Sequence, residues 1–138
     1  MNNIIFLDAD DEYLPNGLES LYKTYEKEDP DLIIGLHYLI LENVKVEINF
    51  IDNSENIINL NPKMQSDFDL ISLKHFVAPW GKIYKKDVIV KNNIEFPEDT
   101  NSEDIYFYIK YLLNSNKVTL LNKTPVYNYY IIEDDTAI

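Results

Sequence analysis

The chain has 138 residues, the size of one domain with a sizeable core, and its 46% hydrophobic and 26% charged composition is that of a globular protein rather than a disordered one. Twelve scattered basic residues against 24 acidic ones give a net charge of -12, which repels a polyanionic backbone and excludes nucleic acid as a partner. With no cysteine, and with His37 and His75 too far apart for a zinc motif, any metal here is a hard cation held by oxygen.

Residues 4–7 form a short apolar run that ends in Asp8-Ala9-Asp10-Asp11, as a buried strand does when its carboxyl end opens onto a polar crevice. Ligands of open α/β sheets bind at that end. Met1-Asn2-Asn3 carries no basic region, so no signal peptide is expected and the cytoplasm is the expected location. From Leu14 the apolar residues Leu18, Leu21, Tyr22 and Tyr25 recur at helical spacing, with Pro15 tolerable in the first turn and Asp29-Pro30 as the stop. Residues 31–41 read as a strand and Glu42-Asn43 as a tight turn. Residues 44–50 then read as an antiparallel partner with Val44, Val46, Ile48 and Phe50 on one face. The apolar stretch 32–41, broken by Gly35 and His37, is well short of the ~20 residues of a spanning helix, so no membrane span is expected.

Residues 54–69 are polar, Asn-rich and poorly periodic, and read as a loop with one helical turn at most around Met64. Phe76, Trp80, Ile83 and Tyr84 make the next stretch too aromatic for a linker, and residues 86–90 read as a short helix. Ile105, Tyr108, Ile109, Leu112 and Leu113 predict a helix over 104–114, stopped by Asn114-Ser115-Asn116. Residues 118–121 and 126–132 read as two closing strands separated by a turn at Thr124-Pro125, before a polar end at Glu133-Asp134-Asp135.

Three groups of residues could do chemistry. Asp8 and Asp10, at alternate positions of an extended strand end, would leave it in one direction and could approach a single divalent cation, with Asp11 pointing elsewhere. The same cluster could instead cap the helix near Leu14 through Asp10 or Asp11. Asp8, Asp10, Glu12, Asn16 and Glu19 also fall on the spacing of a calcium-binding loop, but Tyr13 stands where its sharp turn needs glycine, and a strand rather than a helix precedes it. Glu103-Asp104 opens the longest regular helix pattern of the second half, whose N-terminal partial positive charge would hold both carboxylates ionised as proton acceptors. Thr100-x-x-Glu103 is at the same time a capping box. In Ala78-Pro79-Trp80-Gly81-Lys82-Ile83-Tyr84 the indole could offer a platform to a sugar ring or fill the core.

In their order and register these segments resemble the family-2 glycosyltransferases of the GT-A fold, over nearly the whole chain. Asp8-Ala9-Asp10-Asp11 followed by Leu14-Pro15 is similar to the family's DxD-type metal motif running into a Leu-Pro helix. Trp80-Gly81-Lys82-Ile83-Tyr84 looks like its Trp-x-Lys-Leu-Tyr stretch, Phe96-Pro97 like its Phe-Pro pair, Glu103-Asp104 like its Glu-Asp motif, and Tyr127-Asn128-Tyr129-Tyr130 like its closing aromatic strand. The resemblance implies an α/β fold: an incomplete GT-A-like (Rossmann-like) domain with a mixed sheet flanked by helices. It implies inverting transfer of a sugar from a nucleotide-sugar donor to a hydroxyl of a carbohydrate or lipid-linked acceptor. By the same resemblance Asp8 and Asp10 hold a divalent metal, Mn or Mg, and Asp8, Asp10 and Asp11 bind the donor. Asp104, with Glu103 beside it, takes the acceptor proton, and Trp80 and Lys82 lie on the acceptor side.

The early position of the DxD-like residues implies, further, that the family's amino-terminal nucleotide-binding part is absent. Residues 1–138 would then be a single domain, the metal-binding and acceptor-side carboxyl-terminal part. It would be inactive alone, and would form a homo-oligomer or pair with another chain through an exposed sheet edge. Two other readings stand beside this one. A strand ending in Asp8-x-Asp10 is similar to the start of haloacid-dehalogenase-type phosphohydrolases, with Asp8 as nucleophile, although Glu12 replaces the Thr or Val expected there. A non-catalytic binding module would use the acidic residues as caps and Trp80 as core.

Overall fold

A computed structural model of the chain describes residues 2–48, 51–73, 76–98 and 103–131. Met1, Phe50, His75, Thr100 of the capping box, Ile132 at the end of the expected last strand and residues 133–135 of the expected polar end lie outside the described residues. The elements in chain order are β1 (Asn3–Ile4), β2 (Glu12–Tyr13), α1 (Pro15–Glu28), β3 (Leu32–Leu41), β4 (Val44–Ile48), β5 (Ile57–Leu60), α2 (Gln65–Ile71), β6 (Lys82–Lys85), α3 (Lys86–Lys91), α4 (Glu103–Leu113) and β7 (Val118–Ile131). Among the described residues no helix is long and apolar enough to cross a membrane.

Two long strands, β3 and β7, run parallel from Leu32↔Val118 to Leu41↔Ile131 and form the spine of the sheet. Each outer edge of this pair is shared by two short antiparallel strands. Along β3 these are β6, from Leu32↔Tyr84 to Ile34↔Lys82, and then the hairpin partner β4, from His37↔Ile48 to Leu41↔Val44. Along β7 they are β5, from Leu60↔Val118 to Ile57↔Leu121, and then β2, at Tyr13↔Tyr127. β1 adds to the free side of β6 and ends the sheet, giving the order β1-β6-β3-β7-β2.

Alternation along β3 sends side chains to both faces, and both are covered. Leu32, Ile34 and Leu36 pack with Ile71 of α2 and with Phe107, Tyr108, Tyr111 and Leu112 of α4. On the other face Ile33 packs with Leu21 and Tyr25 of α1, and with Trp80, Ile83 and Tyr127. The protein is thus an α/β structure with a mixed sheet between helices, as expected from the sequence.

Both longer helices form where periodicity places them. α1 starts with Pro15, whose missing N–H costs nothing in a first turn, and its N-cap is Leu14, with no side-chain cap. Asp10 and Asp11 therefore do not cap it. The helix stops at Asp29, which takes a left-handed φ of 50° and donates its N–H to Tyr25 O at 3.0 Å. The hairpin of β3 and β4 turns at Glu42, with φ 55°, as Glu42-Asn43 predicts.

Three elements differ from expectation. Residues 4–7 are not a buried strand: only Asn3–Ile4 pairs, with β6, and the run then alternates. Phe6 packs edge-on against Tyr84, Phe96 and Phe107, while Ile5 and Leu7 are 44% and 59% exposed at the end of the sheet. Within residues 54–69, read as a loop, Ile57–Leu60 pairs with β7 and Gln65–Ile71 is a helix. Thr124-Pro125 is not a turn between two strands. β7 is continuous, and its register against β3 jumps from Gly35↔Leu121 to Leu36↔Pro125, a bulge that accommodates a proline without an N–H to donate.

Gly17 of α1 lies against the backbone of that bulge: a β-carbon there would collide with Pro125 O and come within 2.6 Å of Val126 Cα. Gly17→Ala gains about 1 kcal/mol of helix propensity but must push α1 off β7. Overpacking of this kind is expected to lower stability by a net ~1–3 kcal/mol, read as a lower urea midpoint. An unchanged or raised midpoint would show that the helix shifts freely.

Candidate active site

The acidic residues sit between the last residue of β1 and the first of β2, in a turn closed by the Asp11 N–H donating to Asp8 O at 3.1 Å. The chain is therefore not extended from Asp8 to Asp10, and the turn, not strand alternation, brings these carboxylates together. Asp11 is tied to the sheet: Oδ2 accepts from Tyr127 Oη at 2.8 Å and Oδ1 from the Tyr130 N–H at 3.0 Å. Tyr127 Oη also accepts the Asp8 N–H at 3.2 Å. Glu12, the next residue, accepts from Asn128 Nδ2 at 2.9 Å and Tyr130 Oη at 2.7 Å. Asp8 and Asp10 remain exposed. Partial burial, then the charges of Asp11 and Asp10, hold the Asp8 carboxyl above the ordinary carboxylate range.

Glu103 and Asp104 open α4, the helix packed under the same end of the sheet, and both are exposed. The Asp104 carboxyl is raised by desolvation first, then by Glu103 and by Asp8, and is lowered by Lys82. Asp8, far from Asp104 in sequence, is thus close enough for its charge to act on that carboxyl. Lys82 is buried beneath them on β6. Its ammonium donates to Ala78 O and, at 3.3 Å, to Trp80 O, and lies 5.3 Å from the Tyr108 ring centre. Burial pushes it down to about 7, against the opposing pull of Asp104.

Trp80 is 7% exposed and lies flat on Tyr127, with ring centres 4.4 Å apart and 3° between planes, and next to Tyr129 at 5.1 Å. Its indole is taken up by core stacking. Two residues that sequence patterns did not mark as functional, Tyr13 and Tyr127, pin the acidic segment. Tyr13 Oη donates to Phe6 O at 2.8 Å and accepts the Gly81 N–H at 3.0 Å, joining the acidic segment to the Trp80-Gly81-Lys82 segment. Apart from Phe6, seven residues before Tyr13, their partners are far away in sequence, so no local pattern signals the role.

Among the described residues no group of three or more His, Asp or Glu gathers tightly enough to hold a metal by itself. Asp8 and Asp10 supply two carboxylates, the donor chemistry a hard divalent cation takes when a ligand's oxygens and water complete its shell. Among the described residues, surface hollows away from these carboxylates include an apolar groove of about 460 Å³ beside β1, lined by Ile5, Leu18, Tyr22 and Ile83, and a cleft of about 260 Å³ lined by Glu95, Phe96, Tyr106 and Lys110.

The chain belongs to glycosyl transferase family 2, whose family model matches residues 3–92. It is similar to the poly(ribitol-phosphate) beta-N-acetylglucosaminyltransferase TarP of Staphylococcus aureus, 32% identical over 133 residues that cover 96% of this chain and 37% of TarP. It is also similar to the cholesterol galactosyltransferase of Borreliella burgdorferi, 26% identical over 129 residues, 86% of this chain and 35% of that protein. The fold matches that of S. aureus TarS in complex with UDP-GlcNAc, with a TM-score of 0.76 at 21% identity over 96% of this chain and 35% of that one. The chain spans about a third of the length of these two relatives and of the TarS 1–349 chain, and 23% of the longer solved TarS chain.

The family match corrects one expectation. The chain is not merely a carboxyl-terminal remnant lacking the family's amino-terminal part, because the model is matched from residue 3 and covers the amino-terminal part of this chain. Membership of the family also displaces the phosphohydrolase reading.

The buried ammonium makes stability depend on pH. Lys82 titrates near 7 when folded and near 10.5 when exposed, so between these values the unfolded chain binds more protons and stability rises with pH. Lys82→Met removes this contribution. Urea midpoints between about pH 7 and pH 9 should climb less steeply in the variant than in the parent; equal slopes would show that the Lys82 titration is not perturbed.

Proposed function

We propose that this chain carries the metal-binding and acceptor-side part of a glycosyltransferase that moves a sugar from a nucleotide-sugar donor to an acceptor hydroxyl with inversion. The observation that carries the reading is the approach of the two acidic groups: the charge of Asp8 in its turn reaches Asp104 at the start of α4 and helps to raise its carboxyl. Donor and base functions would thus share one surface.

In this reading Asp8 and Asp10 face the donor diphosphate, and Asp11 supports them from within the turn. A divalent cation, Mn or Mg, held by Asp8 and Asp10 would screen charge building on the departing diphosphate. Asp104 takes the proton of the acceptor hydroxyl as its oxygen bonds to the anomeric carbon. The bond from that carbon to the diphosphate breaks, and its electron pair leaves with the diphosphate. A carboxyl raised above its ordinary range is a better proton acceptor than a free carboxylate, and desolvation gives Asp104 that property. Glu103, next to it, adds to the negative charge that raises it. Trp80 and Lys82 form the floor on the acceptor side, and the exposed edge of β1 is the surface for pairing with a second chain.

Trp80 is the sole tryptophan and stacks on Tyr127, so its fluorescence reports on the acidic turn. Titration with Mn²⁺ and then a UDP-sugar should give a saturable, metal-dependent change that Asp8→Asn abolishes. Asp104→Asn should keep that change yet lower sugar transfer by ~10²-fold or more. A parent protein that ignores both additions, or an Asp104→Asn variant with undiminished transfer, would refute the reading.

A further inference from the structure

The acidic turn is the least tethered part of the candidate site. Strand pairing ends at Ile4 and resumes only at Glu12, so residues 5–11 depend on side chains for their position. Tyr127 supplies a tie at each end of the turn. Its hydroxyl has one proton to give and gives it to Asp11 Oδ2 at 2.8 Å, while its oxygen accepts the Asp8 N–H at 3.2 Å. The ring that carries this hydroxyl has little freedom. It is fully buried, flat against Trp80 at 4.4 Å and edge-on to Tyr13 at 4.8 Å.

Burial and the neighbouring acids raise the phenol far above its ordinary range, so it stays a neutral donor at physiological pH. The Tyr130 N–H holds the other oxygen of Asp11 at 3.0 Å, so the carboxylate is gripped from both sides. With Asp11 engaged by β7 in this way, the carboxylates the turn leaves exposed are those of Asp8 and Asp10.

We propose that Tyr127 is a positioning residue of the metal and donor site: by holding the Asp8 amide and the Asp11 carboxylate together, its hydroxyl sets the direction in which Asp8 meets its ligand. The inference rests on the reading of Asp8 and Asp10 as the metal-binding pair. Tyr127→Phe keeps the ring, and with it the stacking on Trp80, but removes both hydrogen bonds. Asp11→Ala removes the acceptor and leaves the phenol, and serves as a second variant if the first fails to fold.

The test uses the ¹⁵N-labelled chain with Mn²⁺ alone as the probe, since bound Mn²⁺ broadens nearby amide signals. Either variant should keep the parent spectrum away from residues 5–13. In Tyr127→Phe the Asp8 amide should exchange with solvent about tenfold faster, and in either variant half-broadening at residues 8–11 should need about tenfold more Mn²⁺, the scale of one hydrogen bond. Unchanged Asp8 exchange in Tyr127→Phe, or an unchanged Mn²⁺ midpoint in either variant, overturns the proposal while leaving the metal reading intact. No broadening of residues 8–11 in the parent removes the metal reading and the positioning role with it.

Discussion

A phenol buried in a protein core must still find a partner for its hydroxyl, and this requirement organises the whole molecule. Among the described residues five buried or half-buried tyrosines send their hydroxyls to backbone or side-chain groups outside the strands, four of them in connecting segments and one at the last residue of α2. Tyr84 donates to Pro79 O, Tyr108 to Ile71 O, Tyr111 to Asp31 O, Tyr13 to Phe6 O and Tyr127 to the Asp11 carboxylate. A leucine at any of these places could fill the volume but could not fix a loop. The rings supply burial and the hydroxyls carry the order of the core outward into segments 6–11 and 78–81, which have almost no ladder pairing of their own.

The sheet explains why those two segments meet. β3 and β7 are parallel, so their connection must cross from one end of the sheet to the other, and α4 at the end of that crossover comes to lie under β6. The bulge in β7 lets one strand serve two neighbours in succession. Before it β7 pairs with β5, after it with β2, and the side chain of Asn122 at the bulge binds the Ile51 N–H and the Ile51 and Asn53 carbonyls. Gly35 faces this irregularity, where Val126 Cγ1 would lie 2.6 Å from any added β-carbon. The acidic turn is therefore placed by β7, the last strand of the chain, as much as by the strand that precedes it.

What could be read from the sequence follows from the range of the interactions involved. α1 and α4 are specified by apolar spacing within a single helix, and the β3–β4 hairpin by a turn between two adjoining strands, so local pattern suffices. β5 and β6 have four residues each and exist because β7 and β3 offer them an edge; nothing in Ile57–Leu60 distinguishes it from an apolar patch in a loop. Pro125 reads locally as a turn, yet pairing with β3 on both sides of the bulge keeps it within a strand. The acidic residues of the site were legible as a group. Their presentation was not, because the turn at Asp8–Asp11 is held by Tyr127, more than a hundred positions away. Trp80 was equally visible as a large aromatic, but its stacking on Tyr127 and Tyr129 depends on the pairing of strands that no local pattern predicts.

The charge arrangement around Asp104 carries the argument one step further. Lys82 is the cation that opposes the pull of Glu103 and Asp8 on this carboxyl, and burial leaves its ammonium on the verge of losing its proton near neutrality. While Lys82 is charged, the ionised form of Asp104 is favoured. Once Lys82 is neutral, Asp104 faces two anions without compensation, and its affinity for a proton rises. The charge of each group therefore acts on the proton affinity of the other. A carboxyl in this position gains proton affinity as Lys82 loses its charge, whereas an isolated carboxylate has no such neighbour to respond to. That behaviour follows from placing a lysine on β6 beneath the first turn of α4, and from the carbonyls of Ala78 and Trp80 that keep it there.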